Sequence, residues 1–367
     1  MGRSLRVSPG CIEQVKSAVR RNGFPSQSAF AQEVGLSPST VKSFLRGNPV
    51  DYINFVEISE KLGLDWQTIA YIEQTDSQSP QPNPPQTCDE TSPFITGNPI
   101  TNPRCFFGRE KELKRLFNLI KRQPLQNAAI IGKKRSGKTS LLQYLKNITT
   151  TPIEKLRPSQ KSDWLPHPEN YRWIFVDFQD SRLQNREGLL RYILESLKMI
   201  VPNPCGLDRF MDVVSYNLHQ PTVILLDEIG VGLQRCPELD DGFWESLRSL
   251  ATNQTNGNLG FVLATPESPI ELATSTGHSS PFFNIFGYTT TLGAMTEAEA
   301  RELIGSSPIP FADEDIEWIL TQSKCWPLLL QILCRERLFS LEDGVIGDDW
   351  HEEGLEQLKP FAELQSI

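Results

Sequence analysis

No stretch of the sequence approaches the length of a transmembrane helix, and the N-terminus lacks the apolar core of a signal peptide. The expectation is a soluble, cytoplasmic protein. Cysteine is sparse and scattered. The seven residues at 11, 88, 105, 205, 236, 325 and 334 form no C-x-x-C pair. That argues against a disulfide framework and a zinc ribbon, and for reduced thiols. Internal repeats are absent, which excludes solenoid architectures. A global excess of positive charge is absent too. The formal net charge is -9, so the chain as a whole is not a basic nucleic-acid binder.

What is present is uneven. Residues 1–50 carry seven Lys/Arg against two Asp/Glu, a local +5, so a small basic module precedes an acidic body. The length of 367 residues predicts two or three domains. Residues 10–73 have helical periodicity with short breaks and no strand signature. "TDSQSPQPNPPQTCDETSP" (75–93) follows, rich in Pro, Ser and Gln and nearly devoid of large apolar side chains. Such a segment cannot bury a core and reads as an extended linker.

Beyond it, strands alternate with helices. The strand-like runs are "NAAIIG" (127–132), "YRWIFVDFQ" (171–179), "TVILLDE" (222–228), "LGFVLAT" (259–265) and "GYTTTL" (287–292). Amphipathic helices such as 185–200 and 242–254 lie between them. This pattern predicts a parallel sheet covered on both faces. After Met295 the strands stop and a helical subdomain ends the chain. The expected organisation is a helical head at 1–74, a Pro-rich linker at 75–103, an α/β core at 104–294 and a helical subdomain at 295–367.

Gly132-Lys133-Lys134-Arg135-Ser136-Gly137-Lys138-Thr139 fits G-x-x-x-x-G-K-[ST], with Ser140 next in the helix. Glycines let the backbone wrap so that successive N–H groups face phosphate oxygens, at a helix N-terminus whose dipole favours anions. Lys138 is expected at the β/γ-phosphates and the Thr139 hydroxyl on Mg²⁺. The second element is "TVILLDEIG", which delivers Asp227 and Glu228 to the C-terminal edge of a buried strand, where ligands of open α/β sheets bind. Asp227 is expected to hold Mg²⁺, and Glu228 to polarise the attacking water. An acidic pair after a strand is also a common helix cap. Thr265 ends the next strand, where a hydroxyl can sense the γ-phosphate. A threonine there is also an ordinary turn former. The strand "YRWIFVDFQ" falls between the phosphate-loop and acidic strands, the order of P-loop proteins with an inserted strand; Asp177 and Asp180 at its end read as solvated loop acids. No N-K-x-D motif marks guanine, so the nucleotide expected is ATP.

From about Pro93 to Cys334 the chain resembles the STAND and archaeal-ATPase branch of AAA+-like P-loop NTPases. "CFFGREKELKRL" (105–116) looks like that family's F-x-G-R-E-x-E-L segment. The resemblance implies an adenine pocket lined by Phe107 and Gly108 with Arg109 close by. "SKCWPLLLQILC" (323–334) is similar to the family's G-x-P-type lid motif. This implies that the last subdomain is a lid and that Pro327 packs near the base. Ser-Lys-Cys-Trp replaces the family's usual run before that proline, so no lid histidine is assigned. There is no winged-helix Met-His-Asp motif and no repeat array. The fullest match, including residues 238–265, is to short cyanobacterial-type AAA-like ATPases. Arg248, on the helix after the acidic strand, is either an arginine finger or a member of a surface ion pair.

In the head, "SQSAFAQEVGLSPSTVKSFLRG" (26–47) looks like a Cro/repressor-type helix–turn–helix. Ala31 is small where two helices cross, Gly35 suits the turn, Val41 returns to the core, and Ser37 and Pro38 start the second helix. That helix is expected to present Ser39, Thr40, Lys42, Ser43 and Arg46 to double-stranded DNA. An interaction bundle that keeps this fold is the alternative. The resulting fold class is α/β, a P-loop NTPase parallel sheet with a C-terminal helical lid, plus a small all-α helix–turn–helix domain. The function it implies is a Mg²⁺-dependent ATPase switch that forms nucleotide-dependent homo-oligomers. Two other readings stay open: a signalling regulator with a protein-binding head and little hydrolysis, and a DNA-loaded AAA+ assembly factor.

Overall fold

The computed structural model describes residues 4–8, 11–21, 30–31, 34, 36, 38–48, 50–62, 64, 69–70, 93–158, 160–344 and 347–365. The chain forms two compact units, Met1–Asn83 and Pro84–Ile367. The first contains helices α1 (Ile12–Arg21), α2 (Pro38–Arg46) and α3 (Tyr52–Lys61). They enclose a cluster that includes Val15, Ala31, Val41, Phe44, Phe55 and Ile58. Phe44 and Phe55 meet edge to face at 4.9 Å. The unit is not all-α. Ser4–Leu5 (β1) pairs antiparallel with Val50–Asp51 (β2), and a pairing of two residues per strand is too short to leave a periodic signature. Ala31 and Val41 are both buried. Gly35, Ser37 and most of the segment expected as the first recognition-motif helix fall outside the described residues. Lys42 and Arg46 are exposed on α2, Thr40 and Ser43 are half-buried, and the Ser39 side chain is outside the description.

The second unit is built on a five-stranded sheet of β3 (Ala128–Ile131), β4 (Arg172–Asp177), β5 (Thr222–Asp227), β6 (Leu259–Thr265) and β7 (Tyr288–Thr291). The order is β4-β5-β6-β3-β7, with every pair parallel. The sequence reading places the inserted strand at 171–179. In space the strand between β3 and β5 is β6, and β4 lies at the edge. Chain order cannot reveal this, because each parallel crossover may step over a neighbour.

β5 and β6 are buried along their full length, which explains their unbroken apolar runs. Alternate residues feed two cores. Ile224, Leu226, Phe261 and Leu263 join a cluster with α6 (Arg186–Ser196), α7 (Leu207–Asn217), α8 (Ile229–Arg235) and α9 (Asp241–Ser249). Val223, Leu225, Val262 and Ala264 join another with α4 (Glu110–Ile120) and α5 (Lys138–Asn147). After α9 the chain continues as a π-helical turn, Leu250–Gln254. Pro269–Ser275 (α10) follows β6 and begins in a capping box between Ser268 and Glu271.

The remaining helices are α11 (Glu297–Ile304), α12 (Asp313–Ser323), α13 (Pro327–Glu342), α14 (Asp349–Leu358) and α15 (Ala362–Gln365). They pack about a core of Leu303, Ile319, Leu329, Leu333, Leu338 and Trp350. Residues 93–103, expected to be linker, lie against both subdomains. Phe94 enters the helical core, and Ile95 N–H donates to Gln331 Oε1 at 2.9 Å. Ile100 N–H donates to Ser140 Oγ at 3.0 Å. Cys105 is disulfide-bonded, contrary to the expectation of reduced thiols throughout. Cys11, Cys205, Cys236, Cys325 and Cys334 are free. Among the described residues no helix is long and apolar enough to cross a membrane.

Candidate functional site

The loop from Gly132 to Gly137 joins the end of β3 to the start of α5 at the C-terminal edge of the sheet. Gly137 caps the helix at φ 94°, a left-handed conformation that glycine adopts without strain. At Gly132 a Cβ would come within 2.6 Å of Ser136 Oγ and 2.8 Å of Leu292 O, so only glycine permits this closeness. The Gly132 N–H donates to Thr265 O at 3.1 Å, which fixes the loop to the end of β6.

Lys138 is 8% exposed. Its ammonium donates to Gly132 O at 2.8 Å and Lys133 O at 3.0 Å, closing the loop around itself. Burial pushes its pKa below the usual lysine range, against the opposing pull of Glu228 and Asp227. Lys133, Lys134 and Arg135 are exposed at the tip, and the Arg135 guanidinium donates to Gly97 O at 3.2 Å. The hydroxyl of Ser140 is taken by the Ile100 amide, so this residue is bound to the 93–103 segment.

Asp227 ends β5 and is 3% exposed. Burial raises its carboxyl to about 6. A hydrogen bond from Thr139 opposes the rise, Glu228 and Asp177 add to it, and Lys138 pulls against it. Asp177 sits directly across from Asp227 in the β4–β5 register. Glu228 follows at φ 52° in front of α8 and makes no side-chain cap bond, which removes the helix-cap explanation for the acidic pair. It is half-buried beside the loop. Thr265 ends β6, one strand away, at 1% exposure.

Three buried polar atoms around this loop have no hydrogen-bond partner: Ser136 Oγ, Asp227 Oδ1 and Thr265 Oγ1. Each such group costs about 1–3 kcal/mol if nothing satisfies it. Together with Lys138 and the Thr139 hydroxyl they form a donor and acceptor set that suits a polyphosphate and a hard cation held by oxygens.

Phe106–Arg109 meets α11 beside this loop. Phe107 is buried and belongs to the same cluster as Met295 and Trp326. Gly108 abuts the Glu299 side chain. The Arg109 N–H donates to Glu299 Oε1 at 2.5 Å, and its guanidinium is bound to the carbonyls of Gly293 and Ala294. Burial lowers the pKa of Arg109, with Glu112 and Glu299 opposing. Its charge is therefore committed to the chain's own backbone. Because Leu292 touches Gly132 and Gly293 holds Arg109, this turn stands immediately beside the phosphate loop. Pro327 opens α13, half-buried, behind Trp326.

Sequence reasoning missed Arg157. Its guanidinium carbon sits 3.9 Å from the centre of the Phe107 ring. It donates to the carbonyls of Phe106, at 3.0 Å, and Arg104, and pairs with Glu302 of α11 at 3.3 Å. The residue lies in an irregular stretch between α5 and β4 with no motif around it, so no local signal marks it. Arg248 is exposed on α9 and forms no ion pair among the described residues. The structure brings Lys138, Thr139, Asp227, Glu228 and Thr265 to one edge, and it brings Phe107, Gly108 and Arg109 beside them.

No family model and no curated protein matches the chain. Solved structures do. The chain is similar to the Walker-type ATPase PABY2304 of Pyrococcus abyssi, at 17% identity and TM-score 0.52 over 74% of this chain and 77% of that one. It is similar to the ORC2 protein of Aeropyrum pernix in its ADP form, at 12% identity and TM-score 0.51 over 72% and 71%. The ADPNP-ADP complexes of that protein give 13% and 0.51 over 75% and 74%. At these identities the likeness is one of fold: a mixed α/β architecture with a five-stranded parallel sheet, of the P-loop NTPase kind.

Proposed function

We propose that this protein binds and hydrolyses ATP with Mg²⁺ and works as a nucleotide-dependent switch whose N-terminal unit binds double-stranded DNA. The observation that carries the first part is the set of unpartnered buried atoms, Ser136 Oγ, Asp227 Oδ1 and Thr265 Oγ1, around a buried lysine at a helix N-terminus. The β- and γ-phosphates replace the Gly132 and Lys133 carbonyls as partners of Lys138. The loop N–H groups not used within the chain, and those opening α5, are offered to the phosphates, while the Ser136 N–H is held by Lys133 O at 3.2 Å. Thr139 and Asp227 hold Mg²⁺, which when bound neutralises charge on the phosphates. Glu228 orients a water toward the γ-phosphorus, and the bond from that phosphorus to the bridging oxygen breaks. The Thr265 hydroxyl contacts the γ-phosphate. Phe107, Gly108, Arg109 and Pro327 flank the base, and residues 295–367 act as a lid that moves with nucleotide state. Two ADP- and ADPNP-bound structures among the similar folds support the choice of nucleotide.

Lys138→Ala is the direct test. It removes the one buried cation of the loop, and titration calorimetry should find ATP binding lost. Unchanged affinity would overturn the assignment.

The DNA reading of the head is supported by the local +5 charge of residues 1–50 and by exposed Lys42 and Arg46 on α2. Phosphate neutralisation makes such binding fall steeply with salt. ATP-driven assembly would let several heads reach one duplex through the Pro-rich linker and tighten binding. Fluorescence anisotropy of duplex with the full chain, at two salt concentrations and with and without ATP, should show salt-sensitive binding. Lys42→Ala with Arg46→Ala should weaken it and spare ATP turnover. Binding indifferent to salt and to this pair of changes would make the head a protein-interaction module.

A further inference from the structure

In the helical subdomain, three side chains with ligand chemistry converge, and one of them carries a buried nitrogen with no hydrogen-bond partner. Asp315 lies in the first turn of α12, Asp348 caps α14, and His351 lies in the first turn of α14. Each offers one ligand atom, and those atoms all lie within 4.8 Å of one another. We propose that this is a binding site for a divalent transition metal, with Zn²⁺ the ion that fits best.

The first observation is the imidazole. His351 Nε2 is sealed from solvent and has no hydrogen-bond partner. The ring is held in place by stacking on Trp318, with centroids 3.9 Å apart and planes within 11°. Trp350 packs edge-on at 4.4 Å. A fixed, desolvated ring nitrogen without a partner carries a cost that a bond to a metal removes.

Charge supplies the second observation. Arg337 reaches Asp315 with Nε and a terminal nitrogen, both at 2.8 Å and both to Oδ2. That leaves Oδ1 available and orients the carboxylate, as an outer partner does for a metal ligand. Two carboxylates against one guanidinium leave one negative charge uncompensated. The unpaired carboxylate is that of the exposed Asp348, beside the Asp315–Arg337 pair whose side chains are 7% and 12% exposed, so a cation arriving from solvent meets a net negative site.

The ligand set identifies the ion. One imidazole nitrogen with two carboxylate oxygens suits Zn²⁺, with water in the fourth position. Mg²⁺ prefers an all-oxygen shell and would not select this set. The ligands come from α12 and α14, and α13 contributes Arg337, so a bound ion ties three helices of the subdomain together. Nothing in the site depends on nucleotide.

The test uses the full chain, stripped with a chelator and free of nucleotide. Calorimetry should find one Zn²⁺ bound at this site, with a higher melting temperature and little response to Mg²⁺. Asp348→Asn and His351→Gln should each weaken Zn²⁺ by about tenfold or more and remove the thermal gain. Asp348 is exposed, so Asp348→Asn decides the matter if His351→Gln fails to fold. With Co²⁺ as the probe, the wild-type chain should give visible absorption bands that Asp348→Asn alters. No Zn²⁺ binding, or binding of equal affinity in the variants, as free thiols would give, overturns the proposal.

Discussion

At the loop end of the candidate site, eight consecutive residues from Gly132 to Thr139 supply the loop, and two strand ends supply the rest. At the end facing the helical subdomain, the contacts come from residues 104–109, Arg157 and 293–302, more than 190 positions apart in sequence between first and last. The two ends also differ in how their polar groups are satisfied. Around the phosphate loop, Ser136, Asp227 and Thr265 each hold an atom with no partner. Facing the helical subdomain, the charges of Arg109, Glu299 and Glu302 are taken up by the chain itself. The first end has three unpartnered atoms to give a ligand, while the second has spent most of its capacity on joining the α/β core to α11 and keeps Arg157 Nε as its one unpartnered buried atom among the described residues. Under the proposed function, affinity for an anion belongs to the loop, and the end facing the helical subdomain shapes what the loop admits.

This difference predicts where variants act. The largest effect belongs to Glu228→Gln, which keeps the shape of a half-buried side chain and removes its charge. Hydrolysis should slow by about 100-fold or more while ATP still binds, because a positioned base contributes on that order. Steady-state phosphate release beside calorimetric ATP affinity separates the two. Native turnover in the variant would move the chemistry away from the end of β5.

The same contrast explains what could be read in advance. The phosphate loop is a local object: one glycine for a left-handed turn, one for close approach, a lysine and a threonine opening a helix. Spacing alone encodes it. Asp227 and Glu228 are announced by four apolar residues of a buried strand. The sheet's strands were legible for the same reason, but their spatial order was not, since nothing in the run 259–265 states that it lies between β3 and β5. The role of 93–103 was illegible because its three prolines continue the Pro-rich run before it, and its isolated apolar residues Phe94, Ile95 and Ile100 show no period; what holds it is tertiary, as in Ile95 to Gln331 and Phe94 in the helical core. Arg157 depends wholly on tertiary contacts. The β1–β2 pairing depends on two residues from each strand. Both lack a repeating pattern for sequence to display.

A second prediction sharpens the claim that the phosphate end carries unmet cost. Folded Asp227 keeps its proton up to about pH 6, whereas an unfolded aspartate loses it near about 4. Between those values the folded state binds more protons, so the contribution to stability falls as pH rises through this window, and the full cost is present above it. A shift of about two units corresponds to at most about 3 kcal/mol. Asp227→Asn removes the buried charge. In nucleotide-free, chelator-treated protein the variant should be more stable than the parent at pH 7.5 by about 1–3 kcal/mol, and the gain should vanish near pH 4. Urea unfolding at the two pH values measures it. A variant no more stable at pH 7.5 would mean that Asp227 is satisfied without a cation, and the contrast between the two ends would lose its energetic basis.

The smallest effect is expected from Arg157→Ala, and it tests the other side of the comparison. Among the described residues no hydrogen bond or ion pair joins Arg157 to the phosphate loop. It covers one face of Phe107 and joins the carbonyls of residues 104 and 106 to Glu302 of α11. A desolvated cation over an aromatic ring is worth about 0.5–2 kcal/mol. Losing it should weaken ATP by about tenfold, through a base pocket less firmly held. Tripolyphosphate has the anion without the base, so its affinity should be unchanged in Arg157→Ala. In Lys138→Ala both ligands should fail together. Arg157→Lys should restore only part of the ATP affinity, since an ammonium cannot make the planar contacts of the guanidinium. Competition of ATP and tripolyphosphate against a fluorescent nucleotide gives all the affinities in one format. Equal losses for both ligands in Arg157→Ala would show that the end facing the helical subdomain supports the phosphate loop itself, and the two ends would then act as one site.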